Sequence, residues 1–145
     1  MNTRNTGMTL LELVVALAVF AVLYAIAVPN LQAMRAPYAL EGTAYQVAAH
    51  VDMARQRAIA RNARHRVVFT GSGYHLERET TPNNFVVASG TFAAPYGVVI
   101  GTPTPTNPTF NTRGMLAANV SVPLSVDGGG TKMVTINVLG RSKID

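Results

Sequence analysis

The feature that most constrains this chain is a 21-residue apolar run, from Met8 to Val28, that contains one charged residue, Glu12. A membrane-spanning helix needs about 20 apolar residues, so the run is long enough to cross a bilayer only if it includes Glu12. A lone carboxylate in the middle of a span costs about 2.5–3.5 kcal/mol. Glu12 therefore needs a partner inside the membrane, or the segment is not a simple anchor.

The residues around Glu12 resemble the prepilin signature of type IV pilins and pseudopilins. A short leader containing Arg4 ends in Gly7, Met8 follows it, and Glu12 is the fifth residue after Gly7. In that family a peptidase cuts after the glycine, the new terminal amine is methylated, and glutamate stands at the fifth mature position. Many members begin with Phe, so Met8 is a variant of the commonest pattern.

This resemblance implies roles for three residues. Gly7 and Met8 would be the processing and methylation residues. Glu12 would be an assembly residue, because the terminal ammonium of a neighbouring subunit would neutralise its carboxylate in a filament core of low dielectric constant.

Two other interpretations of the N-terminus remain open. A conventional signal peptide would use Arg4 as its basic region, Leu10–Leu23 as its apolar region and Ala25–Ala27 as its cleavage site, which would release a secreted β-domain. The charge of Glu12 inside the apolar region and the Gly7 junction argue against it. An uncleaved single-span anchor leaves Glu12 unexplained.

Composition limits the rest of the molecule to one small domain. About a hundred residues follow the apolar stem, enough to bury one modest core. The 145-residue chain has no cysteine, which excludes disulfides and thiolate metal sites. Its net charge is +5, and a single arginine before the apolar run weakly favours an inside N-terminus, although Arg35 just after the run opposes that orientation.

Periodicity and turn residues predict an α+β fold, and the resemblance implies that it is of the pilin type. In such a fold a long N-terminal helix, first transmembrane and then amphipathic, packs against a small antiparallel β-sheet domain. The predicted segments are a leader at 1–7, an apolar helix at 8–28, a kinked second part of the stem helix at 29–62 and a β-domain at 63–145. Pro29, Pro37 and Gly42 predict a kink or local melting between Pro29 and Gly42.

The second part of the stem has a helical apolar stripe that we expect to pack on the β-domain. Its members are Val47, Val51, Ala54 and Ala58. The predicted strand segments are Arg66–Phe69 paired with Tyr74–Glu79, then Phe85–Ser89, Tyr96–Ile100, and a last pair formed by Val120–Val126 and Lys132–Val138. The proline-rich segment Thr102–Pro108 is predicted to be a loop.

Three segments refine the resemblance to the GspH/FimT type of minor pilin and pseudopilin. They are Ala54–Asn62 before the first strand, Phe110–Gly114, and the closing Val138–Arg141. With the prepilin signature, the resemblance covers nearly the whole chain.

No catalytic, metal or cofactor site is expected. His50, His65 and His75 have no acid or second histidine at ligand spacing and are interpreted as surface or turn residues. Glu77 and Glu79 share one strand face, which resembles an acid–base pair but is interpreted as a solvated face.

Basic residues form two candidate DNA-binding groups. In the FimT branch a Gly-Arg-x-Arg ending is associated with DNA uptake, and this chain has Gly140 and Arg141 but Lys143 in place of the second arginine. We interpret Arg141 and Lys143 as cations on a mobile tail that could hold a phosphate backbone, weakened by the nearby Asp145. The second group, Arg57, Arg61 and Arg64, repeats at helical spacing. The alternative is that both groups are solvated or contact other subunits.

The sequence thus predicts a minor pilin or pseudopilin of a type II secretion system or a type IV pilus, acting in filament assembly. The expected partners are other pilins, a prepilin peptidase, the inner membrane and, in the alternative function, DNA during natural transformation. The expected location is the bacterial inner membrane, with one span and the C-terminal domain in the periplasm or outside.

Overall fold

The computed structural model describes residues 9–128 and 130–145, and only the backbone at 30–33. Gly7 and Met8 lie outside the described residues. The chain divides into two compact units, Met1–Met34 and Arg35–Asp145, which we describe separately. One helix, α1 (Leu10–Ala60), runs through both.

Helix α1 begins at a capped N-terminus. The hydroxyl of Thr9 accepts a 3.2 Å hydrogen bond from the backbone N–H of Glu12, and the backbone N–H of Leu13 donates to the Thr9 carbonyl at 3.1 Å. Threonine followed three residues later by glutamate is the capping-box spacing. Glu12 therefore lies in the first turn, where the positive end of the helix dipole favours a carboxylate.

In the first unit, Leu10–Pro29 is long and apolar enough to cross a membrane. Its large apolar side chains, such as Leu11 and Phe20, are exposed in the isolated chain. The helix continues without interruption through Pro29, so the predicted local melting from this residue to Gly42 is wrong. One proline removes a single backbone hydrogen bond, and the turns on either side keep theirs. The predicted kink stays a prediction.

In the second unit, the predicted apolar stripe of α1 is confirmed. Val47, Val51, Ala54 and Ala58 are all fully buried against the strands. Because the last two are alanines, the backbone of α1 lies close to the domain at this end. The helix ends near the predicted position: Asn62 has a positive φ of 46°, and the N–H of Ala63 donates to the Ala58 carbonyl.

Nine strands follow within the described residues. They are β1 (His65–Thr70), β2 (Gly73–Thr81), β3 (Asn84–Val87), β4 (Phe92–Ala93), β5 (Val99–Ile100), β6 (Thr109–Phe110), β7 (Val120–Val126), β8 (Gly130–Ile136) and β9 (Ser142–Ile144).

The strands form two antiparallel sheets. The first sheet has the order β3-β2-β1-β6, with β4 also paired to β2, and the second has the order β5-β7-β8-β9. The predicted hairpins β1–β2 and β7–β8 are confirmed. The inward faces of both sheets and α1 enclose one core that includes Tyr74, Phe110 and Ile136.

Three short strands, β4, β6 and β9, were not predicted. Two or three residues are too few to show a period of two, so their pairing depends on partners elsewhere in the chain. The error matters most at β9, because the segment interpreted as a mobile tail is an edge strand paired with β8.

Candidate functional site

The two C-terminal segments that resemble the GspH/FimT type form the same hairpin turn. In the first, the N–H of Asn111 donates to the Met115 carbonyl, and the Asn111 side-chain oxygen accepts from the N–H of Met115, at 2.9 and 3.0 Å. The N–H of Gly114 donates to the Asn111 carbonyl at 2.9 Å. These bonds close a three-residue loop, Thr112–Gly114.

The second segment repeats each of these bonds. The N–H of Asn137 donates to the Arg141 carbonyl, and the Asn137 side-chain oxygen accepts from the N–H of Arg141, both at 2.9 Å. The N–H of Gly140 donates to the Asn137 carbonyl at 2.8 Å. The shared pattern, asparagine followed three residues later by glycine, is visible in the sequence and could have predicted both turns.

Both turns pack against the side chain of Arg55 on α1. Gly114 and Gly140 have φ values of +73° and +77°, the left-handed conformation that the third residue of such a loop needs. A Cβ added to Gly140 would overlap Cδ of Arg55, and one added to Gly114 would lie 2.7 Å from Cδ1 of Ile59 and 3.1 Å from Cγ of Arg55. The Nε atom of Arg55 donates to the Gly114 carbonyl at 3.3 Å. Arg55 therefore fixes two loops on one flank of the helix.

This arrangement corrects the interpretation of the basic C-terminus. Arg141 closes the second hairpin through its own backbone, and its side chain is exposed. Lys143 lies on β9 and forms an ion pair with Asp145, the acid that we expect to weaken any phosphate contact. Arg113, in the middle of the first loop, is also exposed and was missed as a candidate. The candidate DNA-binding cations here are thus Arg141 and Arg113, with Lys143 already paired.

The predicted basic helix stripe is wrong at Arg64. Helix α1 ends at Ala60, and Arg64 follows the turn and pairs with Glu79, with 3.0 Å between Nη1 and Oε1. Arg57 and Arg61 remain one turn apart, because the N–H of Arg61 still donates to the Arg57 carbonyl at 3.0 Å.

The acids of β2 belong to ion pairs on the outer face of the first sheet. Glu77 accepts from Nε of Arg66 at 2.6 Å and lies 3.1 Å from Nε2 of His75. Burial opposes ionisation of Glu77, but the hydrogen bonds from Arg66 and His75 outweigh it and lower the pKa of the carboxyl. The Arg66 guanidinium also lies 4.1 Å from the centroid of the Phe85 ring. A solvated carboxylate face was therefore the wrong interpretation, since this face is a charge-paired structural surface.

His65 was predicted to be a surface or turn residue, but it is fully buried on β1. Its Nδ1 lies 2.9 Å from the Ala63 carbonyl, which can only accept, so Nδ1 carries the proton of the neutral ring. The Nε2 atom is buried with no partner among the described residues. Burial lowers the pKa of His65, and the positive charges of three nearby arginines lower it further.

His50 is likewise part of the packing between α1 and the first sheet. Its Nδ1 lies 2.6 Å from the Tyr74 hydroxyl, and its ring stacks on Phe92 with centroids 3.9 Å apart. Burial, with a smaller contribution from the charge of Arg57, lowers the pKa of His50, and burial raises the pKa of Tyr74 to about 12. Both groups are therefore neutral near pH 7 and serve the core. Across residues 9–128 and 130–145, no three His, Asp or Glu side chains come together as a metal site.

Comparisons with known proteins agree with the N-terminal and structural observations. The family model for the prokaryotic N-terminal methylation motif matches residues 2–28. No curated protein matches the chain. The fold is similar to two crystal structures of the type IV minor pilin FimU of Pseudomonas aeruginosa.

The first FimU structure has a TM-score of 0.59 and 14% identity, and the match covers 73% of this chain and 87% of that one. The second has a TM-score of 0.56 and 16% identity, covering 73% and 92%. The methylation motif therefore precedes a domain with the fold of the minor pilin FimU, so the chain is pilin-like in its N-terminal motif and in its fold.

Proposed function

We propose that this chain is a minor pilin or pseudopilin that helps to initiate or join a filament of a type II secretion system or a type IV pilus. The proposal rests on the methylation motif at residues 2–28. Most of this motif lies in the apolar segment Leu10–Pro29 of α1, whose large apolar side chains are exposed. The fold and the motif favour a structural subunit over an enzyme.

The exposed helix needs an apolar environment at every stage. Leaving a large aliphatic side chain in water rather than burying it costs about 1.5–3 kcal/mol, and this segment carries many such residues. The inner membrane would hold it before assembly, with the C-terminal domain on the periplasmic side. The stems of other subunits would surround it in the filament.

Movement from lipid into a filament gains little from burial, because both environments are apolar. Specific contacts must then decide the position of each subunit. Glu12 is the only charge in the segment and lies in its first turn. We propose that a prepilin peptidase cuts after Gly7, that the amine of Met8 is methylated, and that the amine of a neighbouring subunit pairs with Glu12.

The test is Glu12→Ala in cells that assemble the filament. Intact mass should show normal cleavage before Met8, while the variant should be lost from sheared filaments. Glu41→Ala is the matched control, because it removes an exposed acid from α1 outside the apolar segment. Normal incorporation of Glu12→Ala would contradict the assembly role. A mature N-terminus at Val28 would instead support a secreted domain with a conventional signal peptide.

The exposed position of Arg141 supports a second candidate, non-specific DNA binding during uptake. The hairpin fixes the Arg141 backbone, and neither Arg141 nor Arg113 has an ion pair among the described residues. Each phosphate contact adds about 0.9 to the slope of log affinity against log salt for duplex DNA.

Full-length protein in detergent micelles should therefore bind DNA with a salt dependence that Arg141→Ala reduces. Lys143→Ala should have a smaller effect, because Lys143 is paired with Asp145. Equal DNA binding by wild type and Arg141→Ala would exclude this use of the C-terminus.

A further inference from the structure

Three arginines surround the buried His65 at one end of the first sheet. Arg78 on β2 is the direct cross-strand partner of His65, so the two side chains lie on the same, helix-facing side. Arg61 lies in the turn that joins α1 to β1, and Arg57 lies one helical turn earlier. The elements packed around His65 thus present Arg57, Arg61 and Arg78.

None of these three guanidiniums has an acidic partner within 4.0 Å or a hydrogen bond among the described residues. The acids on either side of Arg78 in sequence, Glu77 and Glu79, point to the opposite face of the sheet, because side chains alternate along a strand. There they pair with Arg66 and Arg64. One face of this sheet is therefore neutralised, and the helix-facing end is not.

The cluster is accessible. Arg61 is exposed, Arg57 and Arg78 are half-buried, and Val86, the cross-strand partner of Arg78 on β3, is exposed on the same side. Guanidinium groups in one cluster repel each other unless an anion lies among them. Their planar forks match the oxygens of phosphate, to which they can donate two parallel hydrogen bonds.

We propose that Arg57, Arg61 and Arg78 form a binding site for one phosphate group. The phosphate is either free or a phosphodiester of a nucleic acid backbone, since both present the same oxygens. The site differs from the C-terminal group of Arg141 and Lys143, and it does not depend on the role of the chain in a filament. His65, whose Nε2 has no partner among the described residues, is a natural reporter of the added negative charge.

The experiment is a titration of the full-length chain in detergent micelles with inorganic phosphate at constant ionic strength. The imidazole resonances of His65 are followed by NMR. We expect a saturable shift in wild type and at least about tenfold weaker binding in Arg78→Gln, since one charge-assisted hydrogen bond contributes that much. Arg35→Gln is the matched control, with the same loss of an exposed charge 22 residues before Arg57 on α1, and should bind phosphate as wild type does.

A short DNA duplex provides the second arm. Loss of both phosphate and DNA binding in Arg78→Gln identifies a phosphodiester site, and loss of phosphate binding alone identifies a site for the free ion. If Arg78→Gln does not fold, Arg57→Gln gives the same test from the helix. A shift that does not saturate, or equal phosphate binding by wild type and the folded variant, would overturn the proposal.

Discussion

The Nε atom of Arg55 donates a 3.3 Å hydrogen bond to the carbonyl oxygen of Gly114, 59 residues later in the chain. The same side chain lies against Gly140, so one arginine of α1 contacts the two hairpin loops that carry the C-terminal motifs. A residue that resembles an ordinary basic position on a helix therefore organises the end of the domain. The glycines are required for this, because a Cβ at Gly140 would collide with Arg55 and a Cβ at Gly114 would collide with Ile59 on the same helix.

Replacing Gly140 should be more damaging than replacing another glycine of similar backbone conformation. Gly140→Ala places an alanine in the left-handed backbone conformation, which costs about 1–2 kcal/mol, and also makes its Cβ collide with Arg55. Gly128→Ala has the same type of strain, at φ +71°, but open space around its Cβ. Chemical denaturation should show that Gly140→Ala lowers the free energy of unfolding by at least about 1 kcal/mol more than Gly128→Ala. Partial recovery in Gly140→Ala with Arg55→Ala would locate the collision, and equal losses for both glycines would contradict it.

Acidification should destabilise the domain through His65. Burial lowers the pKa of His65 below its ordinary value of 6.5, so the unfolded chain binds the proton more readily than the folded one. The stability of the domain with a neutral His65 is thus fully present above pH 6.5, and it decreases as the pH falls towards the lower pKa of His65 in the folded state. The pKa of His50 is also lowered, so the measurement uses the background His50→Gln.

In that background, the free energy of unfolding should fall as the pH drops below about 6.5, by up to about 1.4 kcal/mol for each unit of pKa difference. His65→Asn keeps a donor for the Ala63 carbonyl but cannot titrate, and it should flatten this part of the curve. An unchanged pH dependence in His65→Asn would show that another group is responsible.

Breaking the ion pair between Arg66 and Glu77 should destabilise the first sheet. Both side chains are mostly buried, and Arg66→Gln leaves the Glu77 carboxylate with His75 as its remaining partner. We expect a loss of about 1–2 kcal/mol by thermal or chemical unfolding. Lys143→Ala, which breaks an exposed pair, should change stability by less than about 0.5 kcal/mol.

The contribution of this pair should also depend on pH. The pKa of Glu77 is lowered in the folded state, so the stabilisation is present above the ordinary pKa of a glutamate and is lost as the pH falls through the folded-state value. The difference between wild type and Arg66→Gln should therefore shrink in acid. A difference that stays constant to pH 2 would rule out an ionised Glu77 as its origin.

Strand β9 should be a structural part of the second sheet. Lys143 lies opposite Thr135. The residue pairs on either side, 133–145 and 137–141, are joined by backbone hydrogen bonds. Because hydrogen-bonded pairs recur at every second residue of an antiparallel ladder, the N–H of Lys143 also points towards β8. Lys143→Pro removes that donor, whereas Ser142→Pro removes an N–H that points away from β8. Amide hydrogen exchange at Thr135 should accelerate more in Lys143→Pro than in Ser142→Pro. Equal protection in both variants would mean that β9 does not remain paired in solution.

Local patterns in the sequence predicted much of this fold. The spacing of Val47, Val51, Ala54 and Ala58 identified the buried face of α1, since a helix repeats every 3.6 residues whatever it packs against. The strand pairs β1–β2 and β7–β8 followed from short turns between apolar runs. The prepilin signature likewise lies within a few consecutive residues and matches the methylation motif at 2–28.

The errors at Arg64, His65 and the C-terminus involve residues whose environment is set far away in the chain. Arg64 left the predicted helix stripe because the helix ended and Glu79 lay across the sheet from it. His65 was taken for a surface residue because nothing near it in sequence shows that α1 covers it.

The sequence by itself therefore determined the methylation motif, the apolar stem and the alternating pattern of the longer strands, because each depends on residues close together in the chain. Only the tertiary structure decided that Arg55 contacts the loops of Gly114 and Gly140 and that the C-terminus is an edge strand. It also decided that Arg57, Arg61 and Arg78 have no acidic partners among the described residues. Those features depend on which side chains from distant parts of the sequence come together in space, and the spacing of residues along the sequence does not reveal this.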